Sequence, residues 1–130
     1  MKEKLLHLLE HAYSPYYHFP VASIAVMKDG KEFSGVNVEN ANGTSICAER
    51  NAIAAAIAAG YHRGDFDQIY VMLSNGEHGW PCFACRQVIL EFLEPDQSII
   101  SMKQDGSTQQ HTVAELCPYG FGKEDLEGQE

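Results

Sequence analysis

Cys47-Ala-Glu-Arg-Asn-Ala-Ile-Ala-Ala-Ala-Ile-Ala-Ala59 and Trp80-Pro-Cys-Phe-Ala-Cys-Arg-Gln-Val-Ile-Leu-Glu-Phe-Leu93 are two helix-forming runs, each opening on a cysteine. Alanine and other good helix formers fill the first run, and Gly60 ends it. The second runs from Cys82 to Leu93 and is halted by Pro95. Unpaired backbone N–H groups and the positive end of the helix dipole favour thiolate over thiol at such positions. Cys47, Cys82 and Cys85 therefore read as three zinc ligands, with a fourth position left open to water. Glu49, two positions after the first cysteine, is the proton carrier that hydrolytic chemistry at such a centre needs. Three thiolates leave a divalent ion with a net charge of −1, which weakens its pull on water. The helix termini and Arg50, placed to donate to a sulfur, offset part of that charge.

Outward from these runs, the chain alternates strands and helices. Leu5, Leu6, Leu8, Leu9 and Ala12 keep helical spacing until Ser14-Pro15. Val21–Met27 reads as a strand, Lys28-Asp-Gly-Lys31 as a hairpin turn, and Glu32–Val38 as the returning strand. Ile69–Leu73 is a short apolar strand of the buried type. Ser98–Met102 and Gln109–Val113 form a last hairpin across Asp105-Gly106. Thr112-x-x-Glu115 has capping-box spacing, which predicts a short helix toward Leu116. The resulting order predicts an α/β fold in three α/β/α layers, a mixed five-stranded sheet with helices on both faces.

At 130 residues the chain is expected to form one domain, 1–130, with residues from about 126 to 130 as a flexible acidic tail. It is 45% hydrophobic and 21% charged, enough apolar material for a core without disulfides. Four cysteines, three of them in the motif, suit a metal site in a reducing, cytoplasmic setting better than a set of bridges. The first eleven residues are amphipathic, which predicts a helix rather than a signal peptide, and no apolar run is long enough to span a membrane. A net charge of −9 with no basic stripe argues against a nucleic acid polymer as partner and favours a small neutral substrate.

Cys-x-Glu followed by Pro-Cys-x-x-Cys resembles the signature of the zinc nucleoside and nucleobase deaminases. The wider likeness is to the small cytidine deaminases. It runs through Ala12-Tyr-Ser-Pro-Tyr-Tyr-His-Phe-Pro-Val21, Gly35-Val-Asn-Val-Glu-Asn-Ala41, Cys47-Ala-Glu-Arg-Asn-Ala52, Cys85-Arg-Gln-Val88 and Glu115-Leu-Cys-Pro-Tyr-Gly-Phe121. The resemblance implies one zinc per subunit on Cys47, Cys82 and Cys85, proton transfer by Glu49, and conversion of cytidine or 2′-deoxycytidine to the uridine product with release of ammonia, in pyrimidine salvage. It implies that Asn37 and Glu39 bind the ribose 3′-hydroxyl, that Phe19 packs on the nucleoside, and that the Ala48 N–H and the Trp80 carbonyl read the base edge. Phe121 would stack on a base in a neighbouring subunit of a homo-oligomer, a tetramer or a dimer.

Without that resemblance, Phe19 and Phe121 read equally well as core aromatics, Asn37 as a turn residue and Arg50 as a solvated charge. With Cys117 as a fourth ligand the zinc would be closed and structural. Several positions depart from the family pattern. Phe83 stands where glycine is usual, so its side chain must find room near the zinc, and a different backbone geometry or pocket shape is expected there. Trp80 replaces a small residue, so it is expected to narrow the site or pack at a subunit contact. Ala22-Ser23 and a shortened 39–47 segment resemble blasticidin-S deaminases, but those lack the Asn37-x-Glu39-Asn40 kept here. An antibiotic or modified cytosine nucleoside is the alternative substrate. A module that binds a nucleoside without turnover is a further one.

Overall fold

The computed structural model describes residues 1–127. Its elements are α1 (Lys2–Leu9), β1 (Val21–Met27), β2 (Glu32–Val36), α2 (Ala48–Ala58), β3 (Phe66–Leu73), α3 (Phe83–Phe92), β4 (Ser98–Met102), β5 (Thr108–Thr112), α4 (Val113–Leu116) and α5 (Lys123–Glu127). The strands form one sheet in the order β2-β1-β3-β4-β5. β1 is antiparallel to both β2 and β3, β3 is parallel to β4, and β4 is antiparallel to β5. The mixed five-stranded sheet is as expected.

Alternation along β1 sorts the core into two layers. Ala22 and Ile24 join Met72, Met102 and the buried Leu5 of α1 on one face. Ala25 and Met27 join Ile69 and Ile99 on the other, under Ala52, Ile53 and Ala56 of α2 and Ile89 of α3. Helices thus cover both faces, α1 on one and α2, α3 and the short α4 on the other. Fully burying a side chain such as Leu5 contributes about 2 kcal/mol, enough to fix α1 to the sheet.

Strand direction positions the site. Since β2 and β3 are both antiparallel to β1, they run the same way. The helices that follow them, α2 and α3, therefore leave from one end of the sheet and bring their N-termini side by side. Gly35 in β2 lets α2 approach closely: a Cβ there would sit 2.2 Å from the Ala48 carbonyl oxygen and 2.4 Å from the Ala52 nitrogen.

Some boundaries differ from those read off the sequence. β2 ends at Val36, and Val38 makes isolated bridges to Tyr13 and Ile46 instead. β3 begins at Phe66 rather than Ile69, because pairing with β1 carries it through the polar Asp67-Gln68. β5 starts one residue early, at Thr108, and Val113 passes to α4. The predicted capping box of α4 is formed: Glu115 N–H donates to Thr112 Oγ1 at 3.1 Å, and Thr112 N–H to Glu115 Oε1 at 2.9 Å. No helix was expected at α5, which takes in Leu126 and Glu127 of the predicted tail. Residues 128–130 lie outside the described ones.

Candidate metal centre and its pocket

Cys47 is the N-cap of α2 and Cys82 the N-cap of α3, while Cys85 lies in the first turn of α3. The sulfurs of Cys47 and Cys82 are 3.5 Å apart, and those of Cys82 and Cys85 are 3.4 Å apart. All three fall within 4.8 Å of one another and form the sole such group of potential ligands among the described residues. Zinc bonded to sulfur at about 2.3 Å in a tetrahedron sets neighbouring sulfurs about 3.8 Å apart. The thiol cluster fits that ion in number, softness and spacing.

The thiols share protons unevenly. A hydrogen bond from Cys85, together with Arg50 and Cys82, outweighs burial and lowers Cys47 to about 5. Cys85 moves far upward, first through its bond with Cys47, then through burial and the Glu49 charge. A bound cation displaces the remaining protons and is held by thiolates. Arg50 extends one Nη toward the Cys47 sulfur and the Ser45 carbonyl, each at 3.5 Å. It therefore faces the Cys47 sulfur rather than solvent alone.

Glu49, in the first turn of α2, is 4% exposed. Burial first, and then the negative Cys47, raise its carboxyl to about 7 against the pull of its own N–H and Arg50. A group that titrates near neutrality can both take and return a proton. Cys117 does not belong to this cluster. Its thiol donates to the Arg86 carbonyl at 3.6 Å, so a closed site with Cys117 as fourth ligand is overturned.

Cys47, Cys82 and Glu49 open onto a cavity of about 580 Å³. Phe19, Asn37, Glu39, Ala48 and Trp80 line it too, so six predicted substrate-contact and catalytic residues share one concavity with two of the sulfurs. The sequence reading missed Tyr17, Ser45, Ile46 and Leu73, which also line it. Tyr17 lies within the quoted 12–21 stretch but carried no assigned role there, and Ser45, Ile46 and Leu73 are small or apolar side chains that nonlocal packing brings in.

Asn37 and Glu39 have a second occupation. Asn37 Oδ1 accepts from the Val21 N–H at 2.8 Å, and Nδ2 donates to the Phe19 carbonyl at 2.9 Å. Glu39 accepts from the Ser14 hydroxyl at 2.6 Å and from the N–H groups of Tyr16 and Tyr17 at 2.9 and 3.2 Å. Burial pushes the Glu39 carboxyl up, but these donors outweigh it and hold it below the usual value. Both side chains therefore pin the 13–21 loop that carries Tyr17 and Phe19.

Phe83 does not crowd the sulfurs. It is 78% exposed, and the Arg86 guanidinium stacks 4.6 Å from its ring centroid. The N-cap geometry of Cys82 turns the next side chain outward. Trp80 lines the cavity and packs edge-on against His111 at 4.6 Å. Phe121 lies outside this cavity, 58% exposed, with its carbonyl accepting from Gln87. His78, in the loop before Trp80, is half-buried and bonded to the Ser101 hydroxyl at 2.9 Å.

A family model described as the cytidine and deoxycytidylate deaminase zinc-binding region matches residues 1–102. The chain is similar to a cytidine deaminase of Halalkalibacterium halodurans, 40% identical over 118 residues that cover 90% of this chain and 88% of that one. A cytidine deaminase of Mycoplasma genitalium is 33% identical over 122 residues, 93% of this chain and 92% of the other. Among solved structures, the cytidine deaminase of Burkholderia pseudomallei superposes with a TM-score of 0.83 at 38% identity, covering 92% of this chain and 94% of that one.

Proposed function

The chain belongs to the cytidine and deoxycytidylate deaminase family, and from that premise we infer a zinc-dependent hydrolase that deaminates cytidine. The observation that carries this reading is the buried Glu49 carboxyl lining one cavity with Cys47 and Cys82, two of the three clustered thiols. Zinc held by Cys47, Cys82 and Cys85 supplies Lewis acidity toward water when bound.

Glu49 moves the protons. Water adds its oxygen to C4 of the base; one of its protons passes by way of Glu49 to N3, where uridine keeps it. The other goes to the amino nitrogen, the C4–N bond breaks, and ammonia leaves. Burial of Glu49 excludes bulk water from this relay and holds its affinity for protons close to what both transfers need. The Ala48 N–H and the Trp80 carbonyl are our choice for holding the base edge. Phe19 packs on the nucleoside, and Asn37 and Glu39 bind the ribose, which gives 2′-deoxycytidine as a second substrate. Among the described residues, none that lines the cavity is Lys, Arg or His, which favours a neutral nucleoside over a nucleotide.

Pyrimidine salvage is the metabolic role we assign, in the cytoplasm, where the cluster's thiols stay reduced. No helix among the described residues is long and apolar enough to cross a membrane. Phe121, exposed and outside its own chain's cavity, supports a homo-oligomer in which it reaches a neighbour's site, a tetramer or else a dimer. The test is ammonia release by zinc-loaded protein from cytidine, 2′-deoxycytidine, CMP, cytosine and blasticidin S. Turnover of the two nucleosides with CMP inert is expected. No turnover of cytidine by fully loaded protein would refute the reading.

A further inference from the structure

On the outer surface of α1, on the face of the sheet opposite the thiol cluster, two imidazoles converge. His7 Nε2 and His11 Nε2 are 3.2 Å apart, and the rings meet edge to face with centroids 4.8 Å apart. The helix end sets up this meeting. Glu10, His11 and Ala12 N–H groups bond back to the carbonyls of His7, Leu8 and Leu9, so the chain stays coiled one turn past Leu9. His11 therefore stands over His7, one turn on. Leu5, on the opposite side of α1, is buried in the core, while His7 and His11 are exposed.

The spacing is that of two ligands on one ion. With metal–nitrogen bonds of about 2.0–2.1 Å, adjacent nitrogens lie about 2.9 Å apart at right angles and about 3.3 Å apart in a tetrahedron. The observed 3.2 Å falls between them. Glu10 adds a second, independent feature: its Oε2 lies 3.4 Å from His7 Nδ1. A negative carboxylate beside Nδ1 favours the tautomer protonated there, which leaves the lone pair on Nε2, the atom that faces His11. Carboxylate–imidazole–metal chains orient ligands in this way. The net charge of −9 adds a general attraction for cations.

We propose that His7 and His11 form a second metal site, a surface chelate for a borderline divalent transition ion, with Glu10 as its orienting partner. Two protein nitrogens leave the remaining coordination positions to water, so the site binds reversibly and more weakly than the three thiols. Affinity follows the order of imidazole-loving ions, with Cu²⁺ tightest, Ni²⁺ and Zn²⁺ behind it, and Mg²⁺ not bound.

The zinc-loaded, dialysed protein is titrated with Ni²⁺ by calorimetry and, separately, with substoichiometric Cu²⁺ while imidazole resonances are followed by NMR. One Ni²⁺ per chain is expected beyond the resident zinc, with Cu²⁺ broadening the His7 and His11 resonances first. His7→Gln and His11→Gln should each abolish that equivalent, while His62→Gln keeps it and cytidine turnover stays unchanged in all three. Glu10→Gln should weaken Ni²⁺ binding roughly tenfold, the low end of what lost orienting partners cost. Ni²⁺ binding undiminished in the His7→Gln/His11→Gln double variant, or broadening that begins at His62 or His111, would overturn the proposal. So would the absence of any second equivalent at millimolar Ni²⁺.

Discussion

Two walls of one cavity are built by opposite means. The wall that carries Cys47, Ala48, Glu49 and Cys82 stands on helix termini, and α2 is seated backbone against backbone over Gly35. The wall that carries Tyr17 and Phe19 is a loop hung from two side chains, Asn37 and Glu39. The groups proposed to hold a metal and move protons sit at helix starts packed against the sheet. Groups that shape the space around a ligand sit on a segment that a few hydrogen bonds keep in place. Proton-transfer geometry tolerates little displacement, whereas a packing surface can adapt.

That contrast can be broken most sharply at Glu49. Glu49→Gln should lower kcat by about 100- to 10,000-fold while zinc content stays at one per chain, measured by deamination rate and metal analysis. A variant that kept its rate would remove Glu49 from the relay. Next in size is Gly35→Val, which drives a side chain into the Ala48 carbonyl. It should cost about 3 kcal/mol in urea unfolding and lower zinc retention, because the displaced α2 carries Cys47 with it.

On the hung wall the effects should be smaller and of a different kind. Ser14 donates to Glu39 and accepts from the Phe19 N–H at 2.9 Å. Ser14→Ala should therefore raise KM for cytidine about fivefold, equivalent to about 1 kcal/mol, with kcat nearly unchanged. A fall in kcat with KM intact would mean that the two walls are not separable. The anchor is also acid-sensitive. Glu39 has its folded value held below the ordinary 4.5, so its contribution to stability is fully present above that value. It is lost as pH falls through the lowered folded value, and the stability gap between wild type and Glu39→Gln should close there. Least affected should be Phe83→Gly: the ring is exposed and stacks with the Arg86 guanidinium, and turnover should change by less than twofold.

The same contrast explains what could be read in advance. The rigid wall is written locally: cysteines at helix starts, a carboxylate two positions on and a glycine-ended alanine run are all visible in short windows. So is the alternation that sorts β1 into two faces. The hung wall is written nonlocally. Asn37 and Glu39 could be named as site residues from resemblance, but their duty to the 13–21 loop depends on Val38 leaving β2 to bridge Tyr13 and Ile46. The outward turn of Phe83 was missed for a related reason, since residue identity gave volume but not direction. Three-residue errors at β3 arose because Asp67 and Gln68 look like loop residues until β1 pairs with them.

The ligand spacing has a kinetic consequence. Cys47 and Cys82 meet 35 positions apart in the chain, with the central strand β3 lying between them. A fragment that ends before α3 lacks Cys85, and the starts of α2 and α3 are held side by side only when β1 pairs with both β2 and β3. Zinc capture by all three sulfurs is therefore expected late in folding, after the sheet has closed its long-range pairings, and the order of metal uptake and sheet formation during refolding would test it. Once made, the link ties together the starts of two helices and slows the reverse journey, so chelation should accelerate unfolding more than it slows refolding.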